Sequence, residues 1–469
     1  MRHLPGPTIA ILMLLACLPL SGARAQPTDN PPSGSGAPLL APGGIFVLSP
    51  FGAGLQVEQG GCPRGRAITS VEGNNLCRTG PFQATMDATW ENPNATGVFI
   101  RLLWKDLQAA PGLDDASFDF SVLDRELDKA ARNGKLFSIG IQAGEDGTPD
   151  WIFSTEPDGT PRPDGGGGVT RLRLQDYGSD DEPRREGSCG VRMDLGNPTD
   201  PAFQQRYFEL LTKIAGHISA RPDWYAALAY VKPSGANLFT LENRLPKRSN
   251  EGCISNPQVF AENGYTPTGL YAFYSAQFAL LTSLFPGKAM AYALIQDGFP
   301  QVNDRGGWER ADGSSSNGLP LPRGTEQTEQ IIALGKREQG ARFVVQHNGL
   351  SPLPSGRRCP NEGTHPARPP FAMAGTGCPN RWVLEAGADG RTITGFQTVN
   401  LSRVSTAAQL EAALQNAFQS SDGSFVEIYE EVFWLATNSN GGVLPSGKTI
   451  GGWAADFDAR RRQLFPNIR

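Results

Sequence analysis

The sequence predicts an α/β protein, a (β/α)8 (TIM) barrel with long loop inserts and an N-terminal extension. Two observations lead to this prediction. Short apolar runs alternate with amphipathic stretches along most of the chain, which is typical of a parallel sheet covered by helices. Eight such units fit within the 469 residues, and this number favours a closed barrel over an open sheet.

The apolar runs account for the strands of the predicted barrel. Most of them are rich in branched or aromatic residues and are bounded by Gly, Pro or polar side chains, as strands usually are. The predicted strands cover residues 82–90, 97–104, 135–142, 225–231, 289–295, 341–346, 393–399 and 424–429.

The amphipathic stretches between these runs predict the helices. The strongest covers 200–220, where apolar residues from Phe203 to Ile214 recur at helical spacing. Asp200 is a suitable N-cap for this helix, and Pro201 fits its first turn. Further helices are predicted over 120–133, 269–284, 326–339, 406–419 and 456–464.

Long irregular inserts follow several of the predicted strands, on the face where barrel enzymes build their sites. They cover residues 148–193, 244–266, 299–323 and 351–392. The whole chain divides into a signal peptide (1–25), a flexible linker (26–44), an N-terminal segment packed on the barrel (45–80) and the barrel itself (81–469).

The N-terminus predicts export. A basic start, an apolar run from Ile9 to Leu20 and the small residues Ala23-Arg-Ala25 form a secretory signal peptide with a cleavage site. No later stretch is long and apolar enough to suggest a membrane span. We therefore expect a secreted or periplasmic protein. A lipid anchor at Cys17 stays open as an alternative, because Leu14-Leu-Ala-Cys17 resembles a lipoprotein signal.

Six cysteines remain after cleavage, and an even number in an exported chain suggests disulfides. Pairing by sequence neighbours predicts Cys62–Cys77, Cys189–Cys253 and Cys359–Cys378. The chain has no C-x-x-C pair and no histidine cluster, so we expect no structural zinc.

Charge and motifs exclude several functional classes. Forty-two basic and 47 acidic residues give a net charge of −5 without any basic tract, which makes nucleic acid a poor partner. There is no Ser-His-Asp spacing, glycine-rich phosphate loop or metal triad, so no cofactor or metal is expected. The sequence leaves the oligomeric state open.

Polar and aromatic side chains near the carboxyl ends of the predicted strands form a candidate binding site, since these ends converge on one mouth of a barrel. Amides can hydrogen bond to hydroxyl groups, and flat aromatic rings can stack on the apolar face of a sugar. This composition favours a carbohydrate ligand. The candidate substrate-binding residues are Arg101, Trp104, Trp151, Asn237, Asp297, Gln346, Asn348 and Tyr429.

Two glutamates are the candidate catalytic residues, because cleavage of a glycosidic bond needs two carboxyl groups. Glu427 lies inside the otherwise apolar run Phe425–Tyr429, where a carboxylate is not buried without a purpose or a partner. It is the candidate for the ionised group, and strand alternation directs it to the barrel interior. Glu242 follows a strand in a mixed polar and apolar loop and is the candidate proton donor.

Three segments resemble the opening of β-galactosidase-like (family 42-like) barrels of the retaining glycosidase clan. They are Gly97-Val-Phe-Ile-Arg-Leu-Leu-Trp104, Phe118-Asp-Phe-Ser-Val-Leu-Asp124 and Thr148-Pro-Asp-Trp151. The resemblance implies an exported glycoside hydrolase that cleaves oligo- or polysaccharides with retention, with Glu242 as acid/base and Glu427 as nucleophile. The Asn-Glu pair of that family is absent, and Pro233-Ser-Gly235 occupies its place.

Structural roles remain open for both glutamates. Glu427 could instead be the ion-pair partner of Arg101 or Lys232. Glu242 could form a salt bridge to Arg244 or cap a short element of its loop. A catalytically degenerate barrel that only binds carbohydrate is therefore the alternative function, and a non-hydrolytic surface or scaffold protein is a third.

Structural roles also remain open for other candidates. Trp104 and Trp151 could pack in the core or against loops. Asp297 lies in Gln-Asp-Gly-Phe-Pro, which is strong turn chemistry, and could be a turn residue. Glu430 and Glu431 are expected to face solvent or a loop.

Overall fold

The computed structural model describes most of the chain from residue 39 onward. The described residues are 39–49, 88–144, 147–176, 189, 191–238, 241–247, 252–294, 298–350, 352, 383, 385–398, 404–420 and 423–468. All of them belong to one compact unit, Ala37–Arg469. The predicted signal peptide, most of the predicted linker and residues 50–80 lie outside the described residues.

The strands confirm the predicted (β/α)8 barrel. In chain order they are β1 (Gly44–Leu48), β2 (Gly97–Leu103), β3 (Leu136–Gln142), β4 (Arg171–Asp176), β5 (Val191–Gly196), β6 (Leu228–Lys232), β7 (Ala289–Leu294), β8 (Phe343–Leu350), β9 (Ile393–Thr398) and β10 (Phe425–Tyr429). Eight of them form a closed parallel barrel in which β10 pairs with β1, while β4 and β5 form a separate antiparallel pair.

Helices follow most of the barrel strands and cover the outside of the barrel. They are α1 (Trp104–Leu107), α2 (Ser121–Arg132), α3 (Pro201–Ser219), α4 (Pro222–Ala227), α5 (Asn256–Glu262), α6 (Pro267–Leu284), α7 (Gly324–Gln339), α8 (Ala407–Gln415), α9 (Glu430–Asn440) and α10 (Ile450–Leu464). Asp200 caps α3 as predicted, since its side chain accepts a hydrogen bond from the Ala202 backbone N–H. No helix of the described residues has the length and apolarity that a membrane crossing would need.

Bulky aromatic rings meet inside the barrel, and a glycine leaves room for one of them. Phe46, Tyr230 and Phe425 meet there, and the ring of Tyr230 lies 5.2 Å from that of Phe46 and 5.4 Å from that of Phe425. Gly395 faces Phe425 so closely that a Cβ atom at this position would lie 2.0 Å from the phenyl ring. The lower interior is therefore solid, and the polar side chains occupy the layers above it.

The first barrel strand differs from the prediction. It is β1 rather than 82–90, and the part of that segment within the described residues, 88–90, is helical. The barrel therefore starts at Gly44, inside the region expected to be linker and N-terminal segment. The run Ile45–Leu48 is only four residues long and follows a Pro/Gly-rich stretch, which hid the strand.

Two other element boundaries also differ. Residues 225–227 belong to α4 and not to the next strand, because Pro222 starts a helix whose apolar residues run directly into β6. Strand β8 continues to Leu350, four residues beyond the predicted end, through a register shift between Asn348 and Leu350. This extension places Asn348 within the strand.

The antiparallel pair β4–β5, called the hairpin below, lies in the predicted insert after β3. Its far end is joined to the chain before α5 by the disulfide Cys189–Cys253, which confirms that predicted pairing. Gln175 and Asn256 add reciprocal hydrogen bonds of 2.9 and 2.6 Å between the hairpin and α5. The other two predicted disulfides, Cys62–Cys77 and Cys359–Cys378, lie outside the described residues.

Candidate active site

Glu427 lies at the centre of a buried polar cluster inside the barrel. It faces the interior as predicted, and its side chain is 0% exposed. Oε1 accepts a hydrogen bond of 2.5 Å from the Tyr230 hydroxyl, and Oε2 accepts hydrogen bonds of 2.7 Å from both Lys232 Nζ and Gln346 Nε2. Both carboxylate oxygens are therefore occupied by protein donors.

Lys232 is the cationic partner of Glu427. Its Nζ lies 3.9 Å from the centre of the Phe99 ring, and its side chain is also 0% exposed. Burial lowers the pKa of Lys232, while the negative charges of Glu427 and Glu242 oppose this shift. The sequence left open an ion pair between Glu427 and Lys232, and the structure confirms this alternative.

Two amides connect Glu427 to Glu242. Gln346 and Asn348 are two residues apart on β8 and therefore face the same side of the strand. Gln346 Nε2 donates to Asn348 Oδ1 at 2.9 Å as well as to Glu427, and Asn348 Nδ2 donates to Glu242 Oε1 at 3.1 Å. The two glutamates predicted to be catalytic are thus brought together, but through intervening side chains.

Glu242 has one side-chain oxygen that is bound by an amide and one that contacts no hydrogen-bond donor of the described residues. Its Oε1 accepts the hydrogen bond from Asn348, whereas Oε2 is buried and has no hydrogen-bond partner among the described residues. A buried polar atom of this kind is costly unless water or a ligand completes it. Gln346 Oε1 is a second buried oxygen of the cluster for which the described residues provide no hydrogen-bond partner, so these two oxygens are the atoms that water or a ligand can complete.

The neighbouring residue Asn243 holds the Glu242 loop in place. Its backbone N–H and its side-chain Nδ2 both donate to the carbonyl of Ala293 at 2.9 Å. Its Oδ1 accepts a hydrogen bond of 2.8 Å from the Tyr274 hydroxyl. Because these contacts fix the backbone next to Glu242 to β7 and α6, the position of its carboxyl group is well defined.

Arg101 and Tyr429 form the rim of the cluster. The guanidinium carbon of Arg101 lies 5.5 Å from the centre of the Tyr429 ring, and its Nε donates to the backbone carbonyl of Ser49. Burial raises the pKa of Tyr429 above its usual range, and the charges of Glu242, Glu431 and Glu427 add to this effect while Arg101 opposes it. All of these charged groups are therefore within electrostatic reach of the Tyr429 hydroxyl.

The two tryptophans are corrections to the predicted site. Trp104 is fully buried, donates to Gln108 Oε1 at 2.9 Å and packs against Phe203 and Tyr207, so it cannot stack on a sugar. Trp151 is half-buried against the core, and its Nε1 donates to the Gln108 carbonyl at 3.0 Å. Trp104 is a core residue and Trp151 packs its loop, as the structural alternative proposed.

Asn237 is also a correction. It is 1% exposed, and its amide binds the backbone rather than facing the mouth. Oδ1 accepts from Gly235 N–H at 3.1 Å, and Nδ2 donates to the Leu238 carbonyl at 3.2 Å. Asn237 therefore shapes the loop after β6. Asp297 lies outside the described residues.

The sequence did not identify Tyr230 as a partner of Glu427, and it indicated Lys232 only as one of two alternative ion-pair partners. Tyr230 and Lys232 both stand on the inward face of β6, two residues apart, and a lysine ending an apolar strand is the same signal that singled out Glu427. The expectation that Glu430 faces solvent is wrong: it is 4% exposed and accepts a hydrogen bond of 3.0 Å from Thr89 Oγ1. Burial raises its pKa to about 8. Glu431 is half-buried, and burial also raises its pKa.

The cluster is suited to acid–base chemistry on a neutral ligand. It offers carboxyl groups, amides and a phenol around two buried oxygens, Glu242 Oε2 and Gln346 Oε1, that have no hydrogen-bond partner among the described residues. No group of His, Cys, Asp and Glu side chains among these residues is arranged to hold a metal ion. Proton transfer by Glu242 is the step that this arrangement can perform without any added group.

Comparisons with known proteins find similar structures but no family. No family model and no curated protein match the sequence. The chain is similar to the catalytic domain of a β-amylase from Paenibacillus polymyxa, with a TM-score of 0.41 and 10% identity over 79% of this chain and 92% of that chain. It is also similar to the exo-β-1,4-mannosidase Op5Man5 from Opitutaceae bacterium strain TAV5, with a TM-score of 0.39 and 14% identity over 91% of this chain and 60% of that chain.

A third similar structure is the β-mannanase of the blue mussel Mytilus edulis, with a TM-score of 0.39 and 11% identity over 85% of this chain and 95% of that chain. The barrel assignment rests on the strand pairing of the chain itself. The solved structures similar to this chain are glycoside hydrolases, and the expected relation to family 42 has no matching family model.

Proposed function

We propose that this chain is an exported glycoside hydrolase that cleaves O-glycosidic bonds in oligo- or polysaccharides, with Glu242 as the proton-transferring residue. One observation carries the proposal. Among the described residues, Glu242 Oε2 is a buried carboxyl oxygen without a hydrogen-bond partner, at the carboxyl-terminal face of a barrel whose neighbouring side chains are amides and a phenol. No cofactor is needed for this chemistry.

The hydrogen bond from Asn348 prepares Glu242 for the donation of a proton. Because Oε1 already accepts from Asn348 Nδ2, a proton on the carboxyl group resides on Oε2. A glycosidic oxygen within hydrogen-bond reach of Oε2 can then receive this proton as the bond to the anomeric carbon breaks. General acid catalysis of this kind contributes about 10²- to 10⁴-fold to the rate.

Glu427 is better placed as a positioning residue than as the nucleophile implied by the family resemblance. Attack on an anomeric carbon requires a carboxylate oxygen that the sugar can reach. Both Glu427 oxygens accept hydrogen bonds from protein donors, and the side chain has no exposed surface. We therefore assign to Glu427 the task of holding Gln346, and through it Asn348 and Glu242.

Glu431 is our candidate for the second carboxyl group that the reaction requires. It is half-buried just beyond the end of β10, and the charges of Arg101 and Glu431 both act on the Tyr429 phenol. Burial raises the pKa of Glu431, while its own backbone hydrogen bond and the positive charge of Arg101 oppose this shift and support the ionised form that an attacking or water-activating group needs. Products that keep the anomeric configuration would indicate that Glu431 attacks the anomeric carbon, and products with inverted configuration would indicate that it activates water.

The second candidate function is a catalytically degenerate barrel that binds carbohydrate without cleaving it. The observation that favours it is the buried Glu427–Lys232 pair, which removes one of the two predicted catalytic carboxylates from the mouth. In this case sugars bind to the purified protein and no substrate is turned over.

A screen of chromogenic glycosides and polysaccharides distinguishes the two functions. The wild type is compared with Glu242→Gln, Glu431→Gln and Glu427→Gln, and with Glu262→Gln on α5 as a matched surface control. We expect the first two substitutions to reduce the rate about 100-fold or more while the control keeps full activity. Sugar binding by a wild type that cleaves no substrate supports the degenerate barrel, and activity that survives Glu242→Gln refutes our assignment.

A further inference from the structure

A positively charged cavity of about 480 Å³ lies among the segments that follow β2 and β3. The hairpin forms one wall, and α1 and the residues 148–153 form the others. Since the segments after barrel strands lie at the carboxyl-terminal face, the cavity is on the same face as Glu242. Its charged lining residues are Lys105, Asp150, Arg171, Arg173, Arg192 and Asp194.

The two carboxylates of this cavity are paired with arginines, and Asp150 contacts Arg162 as well as Arg171. Arg171 Nη1 lies 2.8 Å from Asp194 Oδ2, and Arg171 Nη2 forms an ion pair with Asp150. Lys105, Arg173 and Arg192 have no carboxylate of the described residues within ion-pair distance. Arg173 Nη2 donates to the Pro157 carbonyl, and the charges of Asp158 and Asp106 interact with Arg173 and Lys105 at longer range. The cavity therefore carries an excess of positive charge in a chain whose net charge is −5.

The wall that carries these arginines is fixed before any ligand binds. The Arg171 side chain is 4% exposed and lies over the Phe153 ring, with its guanidinium carbon 4.1 Å from the ring centre. The hairpin is held at its other end by Cys189–Cys253 and by Asn256. A wall that is fixed in this way reduces the conformational entropy that is lost when an anion binds to it.

The rest of the lining identifies the kind of anion. Phe153, Leu174 and Met193 also line the cavity, so it presents apolar surface next to the cationic groups. A small inorganic ion has no use for apolar surface, whereas a charged sugar presents both a hydrophobic ring face and an anionic group. Arginine side chains match planar or tetrahedral oxyanions through paired N–H donors.

We propose that this cavity is a subsite for an anionic sugar unit, one that carries a carboxylate or a sulfate group. The inference rests on the proposed glycosidase function and extends it, because it names an acidic polysaccharide as the substrate class. Arg173 and Arg192 bind the anionic group, Lys105 adds long-range attraction, and the apolar lining contacts the sugar ring.

Direct binding measurements test the subsite without turnover. Glucuronate, inorganic sulfate and glucose are titrated into the full chain carrying Glu242→Gln, by calorimetry at constant ionic strength. We expect glucuronate to bind at least about tenfold more tightly than glucose, and the additional pair Arg173→Gln and Arg192→Gln to abolish this preference. Arg132→Gln removes one positive charge from an exposed arginine of α2 outside the cavity and should leave the preference unchanged, whereas Arg173→Gln or Arg192→Gln alone should weaken it.

The sulfate titration measures the binding of an oxyanion without a sugar ring, and we expect sulfate to bind more weakly than glucuronate because it cannot use the apolar lining. The proposal is overturned if glucuronate binds no better than glucose, or if the Arg173 and Arg192 substitutions leave its binding unchanged. This failure is distinguishable from failure of the proposed function. An anion preference in a wild type that hydrolyses nothing refutes only the glycosidase, whereas hydrolysis without an anion preference refutes only the subsite.

Discussion

Asn348 donates its side-chain amide to Glu242 Oε1 at 3.1 Å, and this contact fixes which oxygen of Glu242 is left for a ligand. The amide is held in turn by Gln346, which donates to Asn348 Oδ1 at 2.9 Å and to the buried Glu427 at 2.7 Å. A chain of side chains thus links an ion pair deep in the barrel to a carboxyl group at its mouth.

Loss of the Asn348 amide should impair turnover more than binding. Asn348→Ala removes the donor to Glu242 Oε1, so the proton of the acid is no longer restricted to Oε2. General acid catalysis contributes about 10²- to 10⁴-fold to the rate, and the variant should lose part of this contribution. We therefore expect kcat to fall about 10- to 100-fold, with a smaller change in KM. Asn348→Asp, which keeps the shape but cannot donate when ionised, should resemble Asn348→Ala, and normal activity in both variants would contradict the positioning role.

Substitution of either partner of the Glu427–Lys232 ion pair should lower the stability of the fold strongly. Breaking a fully buried ion pair by replacing one partner costs about 3–5 kcal/mol, because the other charge is left uncompensated. We expect Glu427→Gln and Lys232→Met each to lower the free energy of unfolding in urea by an amount of this order. Glu427→Leu combined with Lys232→Met should cost less than the two single effects together.

The opposite pattern has a clear meaning. If Glu427→Gln removed all activity while the free energy of unfolding stayed at the wild-type value, Glu427 would act on substrate directly, as the family resemblance implied.

Glu430 should make the stability of the fold depend on pH. Burial raises its pKa from 4.5 to about 8, with Glu431 and Glu126 adding to the shift and Arg101 opposing it. The folded state therefore keeps a proton on Glu430 that the unfolded chain releases, and its stabilising effect is complete below pH 4.5 and is lost as the pH rises through about 8. Thermal unfolding at several pH values should show this loss in the wild type.

The matched variant for this measurement is Glu430→Gln, which keeps an oxygen for the hydrogen bond from Thr89 Oγ1. We expect its stability to change less between pH 5 and pH 9 than that of the wild type, since glutamine does not titrate. Identical pH dependence in the two proteins would show that Glu430 is not protonated in the folded state.

The disulfide Cys189–Cys253 should stabilise the hairpin. It closes a loop with a sequence separation of 64, and native disulfides contribute about 2–4 kcal/mol. We expect the double substitution of both cysteines by Ser to lower the free energy of unfolding by about this amount and to weaken glucuronate binding. Reduction of the wild type should reproduce both effects. An unchanged affinity for glucuronate would show that the disulfide does not support the cavity.

The barrel could be predicted because buried parallel strands leave continuous apolar runs, and the charge inside the run Phe425–Tyr429 pointed to Glu427 as an interior residue. The pairing Cys189–Cys253 followed from sequence proximity within an insert. Each of these predictions depends on residues that are close together in the sequence, and such patterns can be recognised in a single sequence.

The environment of each site residue could not be predicted, because it depends on contacts between distant segments. Trp104 follows β2 directly, and only the position of α3 decides that it packs on Phe203 instead of facing the mouth. Glu427 and Lys232 are 195 residues apart, and nothing in the sequence ranks this pairing above one with Arg101. Asn237 was expected at the mouth, but the loop after β6 turns its amide to the backbone.

The leaving-group dependence of Glu242→Gln tests the proton-transfer role of Glu242 most directly. Glycosides with a dinitrophenyl leaving group need little protonation, whereas those with an alkyl leaving group need a full proton. We predict that Glu242→Gln slows cleavage of alkyl glycosides about 10²- to 10⁴-fold and that of dinitrophenyl glycosides less than about tenfold. Equal losses for both leaving groups, or no loss for either, would contradict the account.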